Sequence, residues 1–131
     1  MVKLIEIKAM TLSMRAIHNL SKDSRERIVA ILLQKRSKSE LAKELGISPA
    51  SIVKFYKGKT HASDITIQRA LAIADNEEKQ DILRLIIEDL AGSILDILSE
   101  YQDVDSEKLN LLKKVLEERD KRKILTSLDL I

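Results

Sequence analysis

Side chains that donate hydrogen bonds to phosphate are concentrated between residues 38 and 61 of this 131-residue sequence. Lysine ammonium groups and the hydroxyls of serine, threonine and tyrosine are common donors to a phosphate backbone. The candidate phosphate donors are Lys38, Ser48, Ser51, Tyr56, Lys57, Lys59, Thr60 and His61. Lys38 also lies near the start of a predicted helix, where the helix dipole favours an anion. For Tyr56, packing at the rim of the core is an equally good interpretation.

The remaining reactive side chains do not form a catalytic or metal-binding set. The sequence has no cysteine, which excludes thiolate ligands and disulfides. Its two histidines, His18 and His61, are too few for a usual zinc site. No glycine-rich phosphate loop is present, and Tyr56 and Tyr101 lack the arginine and histidine partners of a tyrosine nucleophile. We therefore expect no enzymatic activity, no metal and no small-molecule cofactor.

The net charge of +2 is the sum of two halves of opposite sign. Residues 1–74 hold 14 Lys and Arg against 6 Asp and Glu, a balance of +8. Residues 75–131 hold 9 against 15, a balance of −6. This distribution predicts that only the first half meets a polyanion. Chance segregation on a charge-rich surface is the alternative.

Two short capped helices are predicted to position the phosphate donors. Ser37 and Glu40 have the spacing of a capping box, in which the serine accepts the Glu40 amide and the glutamate reaches back. The helix that they open stops at Gly46, which suits the left-handed residue that follows a helix end. The turn that follows this helix and leads into the second one is therefore predicted to be short.

The second of these helices has its own start and stop signals. Ser48 and Pro49 supply the N-cap and the first helical residue, and the helix runs through Lys57 to a closing Gly58. The apolar spacing predicts that the two helices pack at a steep angle and leave one face of the second helix free. The apolar residues concerned are Leu41, Ala42, Leu45, Ile47, Ile52 and Phe55.

The stretch 37–59 resembles the helix-turn-helix of the lambdoid-phage repressors and Cro proteins. The matching features are Glu40-Leu41-Ala42, Leu45-Gly46, Ser51-Ile52, Phe55 and Gly58-Lys59. The resemblance covers about residues 24–75, because predicted helices at 24–36 and 64–74 fit the same family. It implies a DNA-binding protein whose second motif helix enters the major groove. A helical hairpin with no DNA role is the alternative.

The resemblance also implies which positions face the bases. They are Pro49, Ala50, Val53 and Lys54. Lys54 alone can donate to guanine O6 or N7, whereas the other three offer at most apolar contact, for instance to a thymine methyl. Family members carry glutamine or other amides at these positions, so direct base readout is expected to be sparse here.

Helical periodicity predicts the elements around this motif. Residues 2–8 fit either a short strand or the start of a helix, and residues 9–20 fit a short helix. Residues 21–24 supply the candidate caps of a helix that reaches about Arg36, and Asp23, with Glu26 three residues later, is the preferred one. Ser63 is predicted to cap the helix at 64–74.

In the C-terminal part of the sequence, apolar periodicity predicts a long helix at 77–101 and a final amphipathic helix at about 107–122. The expected fold is therefore all-α. It consists of a compact helix-turn-helix head of four to five helices, residues 1–75, and a helical extension, residues 76–131.

Apolar residues recur along the long helix at heptad spacing. They are Leu83, Ile87, Leu90, Ile94, Ile97 and Tyr101. Packing inside the chain is one interpretation. A homodimer through the extension is favoured, because successive major grooves suit two-fold pairs and a single helix-turn-helix rarely binds DNA tightly.

The leading functional hypothesis is a repressor-type transcriptional regulator that binds double-stranded DNA as a homodimer. One alternative is the DNA-anchoring module of a mobile-element recombinase or partition system. Another is an antitoxin-like adaptor that binds a protein through the acidic half. No apolar run approaches the ~20 residues that span a bilayer, and Glu6 lies where a signal peptide is apolar. We expect no membrane contact and a cytoplasmic, nucleoid-associated protein.

Overall fold

Serine hydroxyls begin most of the helices in the computed structural model, which describes residues 12–128. Six of its seven helices start at a serine whose Oγ accepts the amide three residues on, at 3.1–3.4 Å. The helices are α1 (Met14–His18), α2 (Lys22–Leu33), α3 (Lys38–Leu45), α4 (Pro49–Tyr56), α5 (Asp64–Ile73), α6 (Asn76–Glu100) and α7 (Glu107–Ser127). The described residues contain no strand. The predicted all-α class is confirmed.

Several helix ends differ from the sequence prediction. Ser21, not Asp23, caps α2, because Ser21 has extended backbone and accepts the Ser24 amide. Asp23 lies inside the first turn and pairs instead with Arg27 at 3.1 Å. Helix α2 ends at Leu33 instead of Arg36, and α7 continues past residue 122 to Ser127. The expectations for residues 2–8 and for the start of the 9–20 helix fall outside the described residues.

The long helix α6 begins with a capping box that the sequence analysis missed. Asp75 Oδ1 accepts the Glu78 amide at 2.8 Å, and Glu78 Oε1 accepts the Asp75 amide at 3.0 Å. The same Glu78 carboxylate also accepts hydrogen bonds from Nη1 and Nη2 of Arg36, at 2.7 and 3.1 Å. Glu78 is only 2% exposed. The start of α6 is thereby joined to the end of α2.

One apolar core joins α1 through the first half of α6. It consists of Ile17, Leu20, Ile28, Val29, Leu32, Leu41, Ala42, Leu45, Ile52, Phe55, Ala62, Ile67, Ala70, Leu71, Ile82 and Ile86. The last two residues belong to α6, and the compact unit that contains this core ends at Leu95. The α6 residues are included because their apolar face completes the core.

The second unit begins at Asp96 and contains α7. None of the residues of α7 is buried, although the helix carries seven apolar side chains between Leu109 and Leu125. Within residues 12–128, no helix combines the length and apolar character needed to cross a bilayer.

Replacing Gly46 by alanine is expected to lower the free energy of unfolding by about 1–2 kcal/mol, measured by urea denaturation. Gly46 has a φ of 70°, where a Cβ is strained. The new Cβ would also lie 3.2 Å from Arg69 Nη1. Gly92→Ala is the matched control, because nothing lies within 4 Å of its Cβ. That change is expected to stabilise by about 0.5–1 kcal/mol; effects of the same sign would contradict the interpretation.

Replacing Glu78 by glutamine is expected to destabilise the protein by about 3 kcal/mol at neutral pH, because the half-buried Arg36 loses its nearer counter-charge and keeps only the more exposed Glu44 at 3.4 Å. The Arg36 hydrogen bonds hold the pKa of Glu78 below its ordinary 4.5. Since the folded pKa is the lower one, this stabilisation is complete above about pH 4.5 and is lost as the pH falls through the folded pKa. The difference between the two proteins should therefore shrink in acid.

Glu77→Gln is the control for this change, since Glu77 is exposed and contacts Lys35 at 3.3 Å. Urea denaturation at several pH values should find it close to the unmodified protein. A Glu78→Gln difference that stays constant down to pH 2 would contradict the role of the carboxylate charge.

Candidate nucleic-acid interface

The turn between α3 and α4 is fixed by paired backbone hydrogen bonds around Gly46. The Ile47 amide donates to Ala42 O at 3.0 Å and the Gly46 amide donates to Lys43 O at 3.2 Å, which is a Schellman motif. Arg69 of α5 donates to Leu45 O at 3.0 Å and so satisfies a further carbonyl at the end of α3. The capping box expected at the start of α3 is present in part. Ser37 accepts the Glu40 amide, and the Glu40 carboxylate contacts the Ser37 hydroxyl at 3.2 Å.

A second Schellman motif ends α4. Gly58 also has a φ of 70°, the Lys59 amide donates to Lys54 O at 2.9 Å, and the Gly58 amide donates to Phe55 O at 3.0 Å. The chain beyond this turn is held by Arg25 of α2, whose Nη1 donates to Ala62 O at 2.9 Å. Both ends of α4 are therefore fixed by the backbone and by an arginine from another helix.

The predicted base-facing residues lie on the outer side of α4. Ile52 and Phe55 turn into the core, as the sequence predicts. Pro49, Ala50 and Lys54 are exposed, and Val53 is half-buried. Ala50, Lys54 and Lys57 share one helical face by their spacing of four and three residues. This face offers two ammonium groups and a small apolar centre.

The predicted phosphate donors surround α4 at its two ends. Lys38, Ser48, Tyr56, Lys57, Lys59, Thr60 and His61 are exposed, and Ser51 is half-buried. Lys38 Nζ lies 5.2 Å from the centre of the Tyr56 ring, and that ring is 58% exposed. This cation–π contact holds the Lys38 ammonium beside α4. Both sequence interpretations of Tyr56 stay open, since its hydroxyl is accessible while its ring supports a lysine.

The lysines of this surface are not paired with carboxylates inside the described part of the chain. No Asp or Glu oxygen of residues 12–128 lies within 4.0 Å of the ammonium groups of Lys38, Lys54, Lys57 or Lys59. By contrast, Lys35 and Arg36 on the α6 side of the same unit are both paired with carboxylates. The positive charge near α4 is thus left to act on solvent or on a ligand.

Two of the predicted phosphate donors already have a local role. Ser48 Oγ accepts the Ser51 amide at 3.1 Å, and the two hydroxyls lie 2.9 Å apart. One of the two hydroxyls donates to the other. A phosphate contact by Ser48 or Ser51 therefore competes with the cap of α4 and stays a prediction.

A polar cluster that was not predicted from the sequence surrounds the buried Arg25 guanidinium. Arg25, 5% exposed, donates to Ile17 O at 2.8 Å and to Asp64 Oδ1 at 2.7 Å. His18 Nδ1 lies 2.9 Å from the other Asp64 oxygen, and its imidazole, followed by Arg25, keeps the pKa of Asp64 below the ordinary value of 3.8. A signal was available, because Arg25 occupies an inward position of the repeat that continues with Ile28 and Leu32.

The residues predicted for dimerisation fall into two groups. Leu83 and Leu90 are half-buried and pack against the core of the first unit. Ile87, Ile94, Ile97 and Tyr101 are exposed. Part of the heptad pattern is thus used inside the chain, and the rest forms an apolar surface.

Comparison of the chain with protein-family models, with curated proteins and with solved structures found no match.

Proposed function

We propose that this protein binds double-stranded DNA by inserting α4 into the major groove, and that it acts as a homodimeric transcriptional regulator of the repressor type. In this proposal Lys54 contacts a base edge, Ala50 and Val53 give apolar contact, and Lys38, Lys57 and Lys59 contact phosphates. The protein works as a binding protein inside the cell and not as an enzyme.

The observation that carries the proposal is the outer surface of α4. A short helix, fixed by glycine turns at both ends, presents unpaired lysines and small side chains on the side opposite its core contacts. An α-helix of this kind fits the major groove of B-DNA. In this proposal the lysines on both flanks of α4 contact the phosphates of the groove walls.

The exposed residues of α6 support the dimer. To enter successive major grooves of an inverted repeat, the two α4 helices of a two-fold pair must lie about 34 Å apart. The exposed side chains Ile94, Ile97 and Tyr101 give apolar area for such pairing.

The same apolar surface favours a second candidate, an adaptor that binds another protein. A surface of this kind is typical of protein–protein contact. The two candidates differ in what the lysines near α4 do, because an adaptor needs no affinity for duplex DNA.

Duplex DNA binding by the full chain is expected to weaken steeply with salt. Three phosphate contacts per copy, from Lys38, Lys57 and Lys59, would give a slope of log K against log salt near −2.7 per copy, at about 0.9 per contact. Fluorescence anisotropy with labelled duplex DNA at several salt concentrations measures this slope. Lys59→Ala should reduce its magnitude by about 1 per copy, whereas Lys113→Ala, an exposed lysine of α7, should leave it unchanged. A slope near zero, or equal effects of both variants, would refute the proposal.

Lys54→Ala and Lys57→Ala are expected to differ in their effect on specificity. Loss of Lys54 should cost about 1–3 kcal/mol on a selected site and relax the preference at one base pair. Loss of Lys57 should weaken selected and random DNA by the same factor, because it contacts only the backbone. Selection from a random DNA library, followed by titration of both variants, gives the comparison. Equal losses on both kinds of DNA for both variants would remove Lys54 as a base-contacting residue.

A further inference from the structure

The final helix α7 is basic, although it lies in the acidic half of the chain. Its seven basic and four acidic residues give a balance of +3. The preceding helix α6 has two basic and seven acidic residues, a balance of −5. The negative sum over residues 75–131 therefore comes from α6 and the short segments outside the two helices. That sum is the basis for expecting a polyanion at the first half alone, and it conceals a cationic helix.

Three cations of α7 lie on one face of the helix. Arg119, Arg122 and Lys123 are three and four residues apart, and together they line one shallow groove. Its other lining residues are Val115, Thr126 and Ser127, and the whole set is exposed. The two hydroxyls donate to carbonyl oxygens of their own helix, at 2.9 and 2.8 Å. Any anion in this groove is therefore bound mainly by the three cations.

The carboxylates of α7 lie away from this groove. At about 100° per residue, all four are about 100° or more from the centre of the groove around the helix axis. They are Glu107, Glu117, Glu118 and Asp120. No carboxylate oxygen of residues 12–128 lies within 4.0 Å of a groove cation, and Glu118 instead approaches Lys121 at 3.8 Å. The positive charge of the groove is thus not neutralised within this part of the chain.

The grouping of these cations is unfavourable in the free helix. Like charges three or four residues apart on a helix repel each other and destabilise it. Arg119 takes part in two such pairs, with Arg122 and with Lys123. An anion that lies along the groove removes this repulsion, and three cations along about 6 Å of helix require more than one negative charge. The groove therefore fits a polyanion better than a single small anion.

We propose that this groove of α7 is a second phosphate-contact site, which binds the backbone of duplex DNA without reading its sequence. Guanidinium and ammonium groups are the usual donors to phosphate oxygens, and arginine can bind a phosphate through two parallel hydrogen bonds. Each DNA strand carries a phosphate about every 3.4 Å along the duplex axis, so the groove cations span two phosphates of one strand. The site takes its ligand from the proposed function and uses no residue of the α4 surface, so its contribution to affinity adds to that of α4.

Charge removal in the full chain tests the groove. The groove variant replaces Arg119, Arg122 and Lys123 by glutamine, and titration with labelled duplex DNA at several salt concentrations measures its affinity. Loss of two phosphate contacts should reduce the magnitude of the slope of log K against log salt by about 1.8 per copy, and affinity at about 0.1 M salt should fall roughly tenfold or more. Selected and random DNA should lose affinity by the same factor, because phosphate contacts carry no sequence information.

The matched control removes the same number of charges from the same helix outside the groove. It replaces Lys113, Lys114 and Lys121 by glutamine, at positions about 120° or more from the centre of the groove. Its slope should stay within about 0.5 of that of the unmodified protein. All six positions are exposed, and glutamine has nearly the helix propensity of arginine and lysine, so circular dichroism should find both variants folded.

Three results would overturn the α7 site. Equal losses in the groove variant and the control would indicate a general effect of net charge. No loss in either would indicate that the groove cations are solvated or serve a different anionic partner, such as an acidic protein segment. A loss confined to selected DNA would exclude a phosphate contact.

Lys59→Ala separates this site from the proposed function. If Lys59→Ala lowers the slope and the groove variant does not, the α7 site is wrong and the role of α4 stands. If the groove variant lowers the slope and Lys59→Ala does not, α7 binds DNA and the proposed role of α4 is refuted.

Photo-cross-linking tests the contact directly, because the sequence contains no cysteine and a single thiol can be introduced. Thr126→Cys places that thiol in the groove, and Lys114→Cys places it on the other side of α7. Each full chain is labelled with a thiol-reactive aryl azide, bound to duplex DNA and irradiated. The Thr126→Cys protein should give a covalent protein–DNA product and the Lys114→Cys protein much less of it. Equal yields, or no product from Thr126→Cys, would remove the groove from the DNA interface.

Discussion

Arg25 puts a guanidinium at a position of α2 that faces the core, and the geometry around α4 depends on how that charge is satisfied. Its nitrogens bind carbonyls at the end of α1 and at Ala62, together with the Asp64 carboxylate. A buried cation without these partners would be costly, so the three segments are held in one arrangement. The chain that leaves α4 is thereby fixed at Ala62, and the positions of Lys59, Thr60 and His61 follow from it.

The parts of the fold that could be predicted are those that depend on local signals. Ser37, Ser48 and Ser63 begin helices because a hydroxyl three residues ahead of a free amide acts in the same way in any context. Gly46 and Gly58 have left-handed backbone for an equally local reason. The outward face of α4 follows from the spacing of Ile52 and Phe55 alone.

The parts that could not be predicted depend on partners distant in the sequence. Asp23 and Ser21 are comparable caps by type, and Ser21 is selected in a structure where its amide also donates to Asp89, 68 residues away, at 2.9 Å. Glu78 combines a local cap with an ion pair to Arg36, and no periodicity indicates that pair. For the same reason, periodicity does not indicate that Ile82 and Ile86 complete a core whose other members lie before residue 72.

The serine that begins α4 has a consequence for how the first unit can hold an anion with its backbone. The first four amides of a helix, counted from the N-cap residue, have no intrahelical acceptor, but in α4 Pro49 has no N–H and the Ser51 amide is taken by Ser48. The amides of Ser48 and Ala50 are left over. In α3 the cap takes the Glu40 amide alone, which leaves three amides, those of Ser37, Lys38 and Ser39. The start of α3, beside the Lys38 ammonium, therefore has more free amides that could donate to an anion than the start of α4. At α4, anion binding depends mainly on side chains.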